Sequence, residues 1–272
     1  MLTITQTQIS AFERCPRFYY LKSVRRLVWP VETGKPRRIS EGEDFHLLIR
    51  QIILGFSPEN LIVPGNDEKV KRWLDIFLQE NPLKLMGSVT AEKEVSLSFA
   101  EVLWLGKFDA LAIDEDRITI FDWKTGAVQP DRNHFLSTPQ TRLYRFLARS
   151  CAARLLGSGP HLIPADNIEM VYWFPEHPDQ TIRLPYSEEE YQQDMTYLRT
   201  RAAEMSSDKE EAYPRTGKAR QCEACVYRTY CFPETIPSEP FREQDLIPDE
   251  VYQSAFFPVD MDDGSDQFET IF

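Results

Sequence analysis

The chain has 272 residues, 42% of them hydrophobic and 27% charged, which is enough for one large domain with a sizeable core. It contains no apolar run near the ~18–20 residues that span a bilayer, and its start, MLTITQTQIS, lacks the basic and apolar regions of a signal peptide. These features predict a soluble cytoplasmic protein with no membrane partner, in which structural disulfides are not expected. The net charge of −12 argues against a polyanionic ligand only until its distribution is read. Residues 234–272 hold eleven acids and one base, Arg242, so they carry −10 and residues 1–233 carry −2. The body also has basic runs, Arg14, Arg17, Lys22, Arg25 and Arg26, then Lys35, Arg37 and Arg38. A local basic surface is what phosphate binding requires.

The first predicted element is a helix over residues 10–22, SAFERCPRFYYLK, with Ser10 and Glu13 as a capping box and Pro16 as a kink or late start. A Pro- and Gly-containing linker follows over 31–39. A second helix is expected over 41–54, opened by Ser40 and Glu43, with Phe45, Leu48, Ile49, Ile52 and Ile53 at helical spacing. A third covers 67–80. The period then changes to two: 89–99, 101–113 and 117–126 read as an antiparallel meander, with Asp114, Glu115 and Asp116 as a hairpin turn. Thr138 and Pro139 open a helix reaching to about Leu156. Strands at 167–174 and 181–186 and a capped helix over 187–205 complete the body. Helices and strands in this order predict an α/β sandwich around a mixed sheet. Residues 1–233 form one unit, and 234–272, acidic with four prolines, reads as a flexible tail.

The stretch ITIFDWKTG, residues 118–126, is a strand former with two charges near its end. Side chains two apart on a strand share a face, so Asp122 and Lys124 point the same way. The hairpin brings Asp109 close. Buried charges must be paired or bound to a metal, and two carboxylates beside a lysine could hold Mg²⁺ or Mn²⁺. Taken alone, Asp-x-Lys also reads as a structural ion pair.

The unit GKFDALAIDEDRITIFDWKTG joins Gly-x-x-Asp on one strand to Asp-x-Lys on the next, and here the sequence resembles the PD-(D/E)xK nuclease superfamily, in particular its RecB-like branch. The resemblance implies a restriction-endonuclease-like core with a mixed central sheet flanked by helices. It assigns Asp109, Asp122 and Lys124 to catalysis, with one or two divalent metals. Two more spacings match that branch. Gly42-x3-His46 implies a metal-ligating imidazole, and Gln140-x3-Tyr144 implies a pair, i and i+4 on one helix face, that contacts DNA or braces the lysine. A lone His is otherwise often structural, and Tyr144 could belong to the core with Leu143 and Leu147. The main-chain carbonyl of Trp123 is expected to join His46, Asp109 and Asp122 at the metal. Glu92 and Glu94 are expected to share a strand face, with Glu94 the better candidate to complete the site.

Three of five cysteines cluster as Cys222-x2-Cys225-x5-Cys231. With Cys15-Pro16 near the N-terminus, the pattern resembles the iron–sulfur arrangement of the CRISPR-associated RecB-like exonucleases and of the AddB nuclease domain. That resemblance implies a [4Fe–4S] cluster joining the two ends of the fold; a structural Cys₄ zinc site has the same ligand chemistry. Cys151 reads as a buried small hydrophobe. Trp29, Trp104, Trp123 and Trp173 are candidates for stacking on bases or for the core.

The function implied is a metal-dependent DNA exonuclease acting on single strands or duplex ends, in repair, recombination or CRISPR adaptation. The alternatives are a non-catalytic DNA-binding or assembly subunit with the same fold, and a nuclease acting on RNA. The acidic tail, with Phe256, Phe257, Phe268, Ile271 and Phe272, is a candidate protein-partner segment or a competitor for the basic surface.

Overall fold

A computed structural model describes residues 1–28, 37–84, 86–125, 131–157, 163–223 and 225–233, with the side chains of 37–40 excepted. Expectations for Trp29, Lys35, Gly126, the Arg37, Arg38 and Ser40 side chains and the acidic segment 234–272 lie outside the described residues.

Among the described residues six strands make one mixed sheet: β1 (Leu2–Thr5), β2 (Ser88–Phe99), β3 (Val102–Asp114), β4 (Arg117–Trp123), β5 (Ile168–Trp173) and β6 (Ile182–Pro185). The meander β2–β3–β4 is antiparallel, as the alternation and the acidic turn predict. β5 lies parallel to β4, and β6 returns antiparallel to β5.

The long strand β3 shares one flank between two partners. β1 pairs with it in parallel from Val102 to Leu105. β4 pairs with it from Ala110 to Asp114. Among the described residues Gly106–Asp109 has no ladder partner on that flank. The strand also changes face there. Trp104 and Phe108 belong to one core, whereas Ala110 and Ala112 belong to the core on the opposite side of the sheet. Strict alternation would have kept all four together, so the reversal falls at Asp109. Opposite it on β2, Glu92 adopts a left-handed backbone, φ 48°.

Each face has its own helical cover. α3 (Arg37–Ile53) and α4 (Glu68–Glu80) lay Phe45, Leu48, Ile49, Trp73 and Phe77 on Phe121, Trp123, Val171 and Trp173. Opposite, α6 (Pro139–Ser150) and α8 (Glu188–Met205) cover Ile118, Ile120, Met170 and Tyr172. Thr138 caps α6, and Ser187 with Glu190 forms the capping box of α8. A short helix, α5 (Arg132–Ser137), precedes α6, and α7 (Ala152–Leu156) is separated from it at Cys151. α3 is already helical at residues 37–40, so Ser40 is not its cap.

The N-terminal expectation needs correction. The chain opens with β1, whose Thr5 forms the capping box with Gln8 of α1 (Gln6–Arg14). Ser10 lies inside that helix. The helix breaks at Cys15, where φ is −160° and ψ 111°, because the residue before a proline is pushed to extended backbone. Pro16 then begins α2 (Pro16–Tyr19), which continues as a π-helical turn over Tyr20–Val24. Residues 213–223 and 225–233, with α9 (Ala219–Glu223) and α10 (Arg228–Cys231), pack on this N-terminal unit. Tyr213 stacks on Tyr20 with ring centres 5.1 Å apart, and the Tyr227 hydroxyl donates to the Leu27 carbonyl at 2.6 Å. Trp104, Trp123 and Trp173 are all buried core residues rather than stacking surfaces.

Gly106 is where α6 comes closest to β3. A Cβ there would sit 2.8 Å from Leu147 Cδ1 and 3.2 Å from the Tyr144 ring. Gly106→Ala is expected to destabilise the fold by about 1–3 kcal/mol through overpacking, read as a lower denaturation midpoint at unchanged m-value. A midpoint equal to the parent's would show that α6 yields without cost.

Candidate active site

The site forms where β3 leaves its ladder. Asp109 is the next residue after the last registered pair, Ala110 with Phe121. Its Oδ2 accepts the Trp123 backbone N–H at 2.9 Å, replacing the lost ladder bond. Its Oδ1 lies 3.4 Å from His46 Nδ1. The other imidazole nitrogen, Nε2, is 3.1 Å from the Trp123 carbonyl. Both ring nitrogens thus face acceptors, and the state that satisfies both is the imidazolium. Burial alone would lower the His46 pKa, but the Asp109 carboxylate and then Asp122 outweigh it, and the net shift is upward.

The second half of the site faces α6. Asp122 and Lys124 share a face as expected, with Lys124 Nζ 2.8 Å from Asp122 Oδ2. Gln140 bridges them. Its Oε1 accepts from Lys124 Nζ at 2.8 Å, and its Nε2 donates to Asp122 Oδ1 at 2.5 Å. The Lys124 backbone N–H donates to the Trp173 carbonyl at 2.9 Å, so the residue stays anchored just past the end of β4. Its ammonium lies 5.3 Å from the centre of the Tyr172 ring.

Tyr144 sits one turn from Gln140, buried against Phe108 at a ring distance of 4.9 Å. Burial, with Asp122 and Asp109 adding to it, holds its phenol well above the ordinary value. It supports the site from beneath and offers no exposed edge to a ligand.

The two carboxylates are driven apart electrostatically. Burial raises the Asp109 pKa, but His46, the Trp123 N–H and Lys124 more than compensate, so it stays below the usual range. For Asp122 burial dominates. Lys124 opposes it, Asp109 reinforces it, and the pKa is pushed up to about 6. Asp122 Oδ2 is buried, with the Lys124 ammonium 2.8 Å away as its ion-pair partner.

A divalent cation suits this donor set. Asp109, Asp122 and the Trp123 carbonyl supply hard oxygens, and the His46 ring lies against two of them, one through each nitrogen. Among the described residues no three His, Cys, Asp or Glu side chains already converge as closely as a bound metal demands. His46 would have to surrender its contact with the Trp123 carbonyl to ligate.

Glu94 does not reach the site. It is exposed and pairs in register with Lys107. Glu92 is the residue opposite Asp109, and its carboxylate is engaged by Arg50 Nη1 at 2.9 Å and Lys107 Nζ at 3.2 Å. Simple alternation fails here because β2 and β3 reverse face together. Thr125 is a further member of the site that the sequence reading passed over. It is buried, and a Cβ on Gly42 would lie 2.8 Å from its Oγ1, so the glycine of Gly42-x3-His46 lets α3 approach the end of β4. The Thr after Asp-x-Lys was the available signal.

Cys15, Cys222, Cys225 and Cys231 line a single small cavity of about 20 Å³ between the two ends of the fold. All are free thiols. Burial pushes the Cys225 thiol up to about 11 and also raises those of Cys222 and Cys231, each further raised by Cys15. Arg14, Arg17, Arg215 and Arg228 line the same cavity. Cys151 is buried away from it, with its thiol 3.7 Å from the Ser96 carbonyl.

Comparisons with known proteins give the family and the fold. The family model of the PD-(D/E)XK nuclease superfamily matches residues 3–232. The crystal structure of a "Putative exonuclease" from Eubacterium rectale is similar in fold, with a TM-score of 0.54 at 12% identity over 89% of this chain and 92% of that one. A second solved structure, that of SSO0001, shows 13% identity over 86% of this chain and 87% of that one, and its TM-score of 0.34 adds no support. No curated protein matches the sequence.

The unfolded chain releases the Asp122 proton near its ordinary value of 3.8, whereas the folded chain holds it to about 6. Protonation therefore favours folding, and this contribution is lost as pH rises through about 6. In EDTA, the melting temperature should fall between pH 5 and pH 7 by less in Asp122→Asn than in the parent. An equal fall in both proteins would remove Asp122 as the source.

Proposed function

Because the chain belongs to the PD-(D/E)XK nuclease superfamily, we propose that it is a divalent-metal-dependent exonuclease hydrolysing phosphodiester bonds of DNA at single strands or duplex ends. The observation that carries this reading is the convergence of His46, Asp109, Asp122 and Lys124 from three elements at the break in the β3 ladder. Mg²⁺ or Mn²⁺, held by Asp109, Asp122, His46 and the Trp123 carbonyl, would supply positive charge at the scissile phosphate.

The protein's own groups do the remaining work. Lys124, fixed by Gln140 and by its backbone bond to Trp173, holds an attacking water near the phosphorus. Its ammonium also favours the charge developing on the phosphoryl oxygens. Gln140 keeps acid and lysine in register, and Tyr144 supports the helix that carries it. A non-catalytic role would not require a buried and a partly buried carboxylate beside a lysine, which are costly to keep.

The RecB-like assignment, with repair, recombination or CRISPR adaptation as its settings, rests on Gly42-x3-His46 and Gln140-x3-Tyr144. The nuclease unit is taken as residues 1–233 and the tail as 234–272. Cys15, Cys222, Cys225 and Cys231 are proposed as ligands of a structural [4Fe–4S] cluster, supported by the single cavity they share and by four arginines that would balance an anionic cluster.

Protein purified without oxygen and given Mn²⁺ should degrade end-labelled DNA. Lys124→Ala should cut the rate by about 10²–10⁴-fold while retaining DNA binding. Equal rates in the two proteins would refute the mechanism, and faster degradation of RNA of the same sequence would move the substrate class. For the cysteines, iron and acid-labile sulfide in equal amounts are expected, both lost in Cys222→Ser; one zinc per chain without sulfide would overturn the cluster.

A further inference from the structure

The Glu92 carboxylate holds Arg50 Nη1 at 2.9 Å and Lys107 Nζ at 3.2 Å. Several observations distinguish this cluster from an ordinary surface ion pair. Arg50 is four residues beyond His46 on α3, so it lies one turn, ~5–6 Å, along the same helix face. Lys107 is two residues before Asp109 on β3, a spacing of ~6–7 Å. The cluster therefore runs directly alongside the metal-binding half of the site. Glu92 is also strained. It is a non-glycine residue with φ 48° inside a strand, a conformation that costs about 1–3 kcal/mol and persists where the surroundings hold it.

The two cations remain available. Their side chains are 48% and 52% exposed, while the carboxylate between them is 29% exposed. Both cations face the one Glu92 carboxylate, and the exposed Glu94 lies in register beside Lys107. An exposed pair of this kind contributes little to stability, because solvent screens it. What the arrangement achieves is orientation, since a long Arg and a long Lys are both tethered toward one point and lose less rotamer entropy when they bind.

We propose that Arg50 and Lys107, oriented by Glu92, form a phosphate-binding subsite for the nucleic-acid strand, one or two nucleotide steps from the phosphate at the metal site. The inference rests on the nuclease reading and adds to it the path the strand takes, along α3 and the outer side of β3. The Arg50 guanidinium suits bidentate contact with phosphate oxygens, and Lys107 adds a point charge. These contacts carry no base information, so the subsite fixes the register of the strand and leaves sequence unread.

The test uses the full chain, Ca²⁺ to hold DNA without turnover, and a fluorescent single-stranded oligonucleotide. The variants are Arg50→Gln, Lys107→Gln and their double. The double should bind about tenfold more weakly, and its plot of log affinity against log salt should be shallower by about 1.4, roughly 0.7 for each phosphate no longer neutralised. Melting temperature and Mn²⁺ affinity should match the parent. Glu92→Gln keeps both cations and should retain the salt slope while weakening binding by less than the double variant. An unchanged affinity and slope in the double variant would overturn the subsite, whether or not the parent cleaves DNA. Failure of the parent to cleave any nucleic acid, with binding still dependent on Arg50 and Lys107, would overturn the nuclease reading and leave the subsite standing.

Discussion

One flank of β3 has to serve two strands, and the candidate site is the consequence. β1 takes residues 102–105 and β4 takes 110–114. The residues between would leave backbone groups without ladder partners, which is costly inside a fold. Asp109 solves part of this locally by accepting the Trp123 N–H with its side chain. A carboxylate is thereby committed to the end of β4, one residue from Lys124. The face reversal at the same point lets Asp109 reach His46 on α3, although Asp122 beside it looks toward α6. Without the reversal, one helix layer would have to supply every partner of the site. With it, both layers contribute.

The buried Asp122 and the partly buried Asp109 share one lysine and one histidine. Burial raises the Asp122 pKa beyond what Lys124 offsets, whereas His46 and the Trp123 N–H hold Asp109 down, so the two move in opposite directions. Keeping such charges out of water is costly for a purely structural site. Perturbed groups in a cleft are candidates for function on these grounds. Gln140 is informative for the same reason. A lysine and a carboxylate in direct contact need no amide between them, yet Gln140 spans both and fixes their separation.

Much of this was legible in the sequence, and the failures have local causes. The meander, the turn at 114–116 and the shared face of Asp122 and Lys124 followed from period-two alternation. Trp123 lies on the opposite face, packed with Phe77 and Phe121, as the same rule requires. Alternation failed on β2 because it assumes regular backbone throughout, and Glu92 departs from it; the carboxylate opposite Asp109 is therefore Glu92, while Glu94 is exposed. β1 was hidden because Leu2–Thr5 is only four residues long and Thr5 also caps the helix that follows. A strand too short to show a period is recognised by its pairing, and that pairing is with a segment about 100 residues away. The convergence of His46 on Asp109 was likewise a matter of spacing plus resemblance, since neither residue betrays its partner within its own element.

The cysteine-lined cavity bears on the site through β1. The N-terminal unit is held to residues 205–233 by the Arg17–Glu210 ion pair, the Tyr227 bond to Leu27 and the packing of Tyr19, Tyr20 and Tyr213. These contacts close a loop of roughly 200 residues, and fixing such a loop restricts the unfolded chain more than closing a short one. β1 begins in that unit and ends on Leu105, beside the gap in the β3 ladder. Loosening the junction would free β1 and leave the backbone of residues 102–105 unpaired on that flank. The gap would then no longer be bounded on both sides, and Asp109 would lose the constraint that holds it against Trp123 and His46. On this view the joined chain ends act on the site mechanically, by keeping the break in the ladder four residues wide.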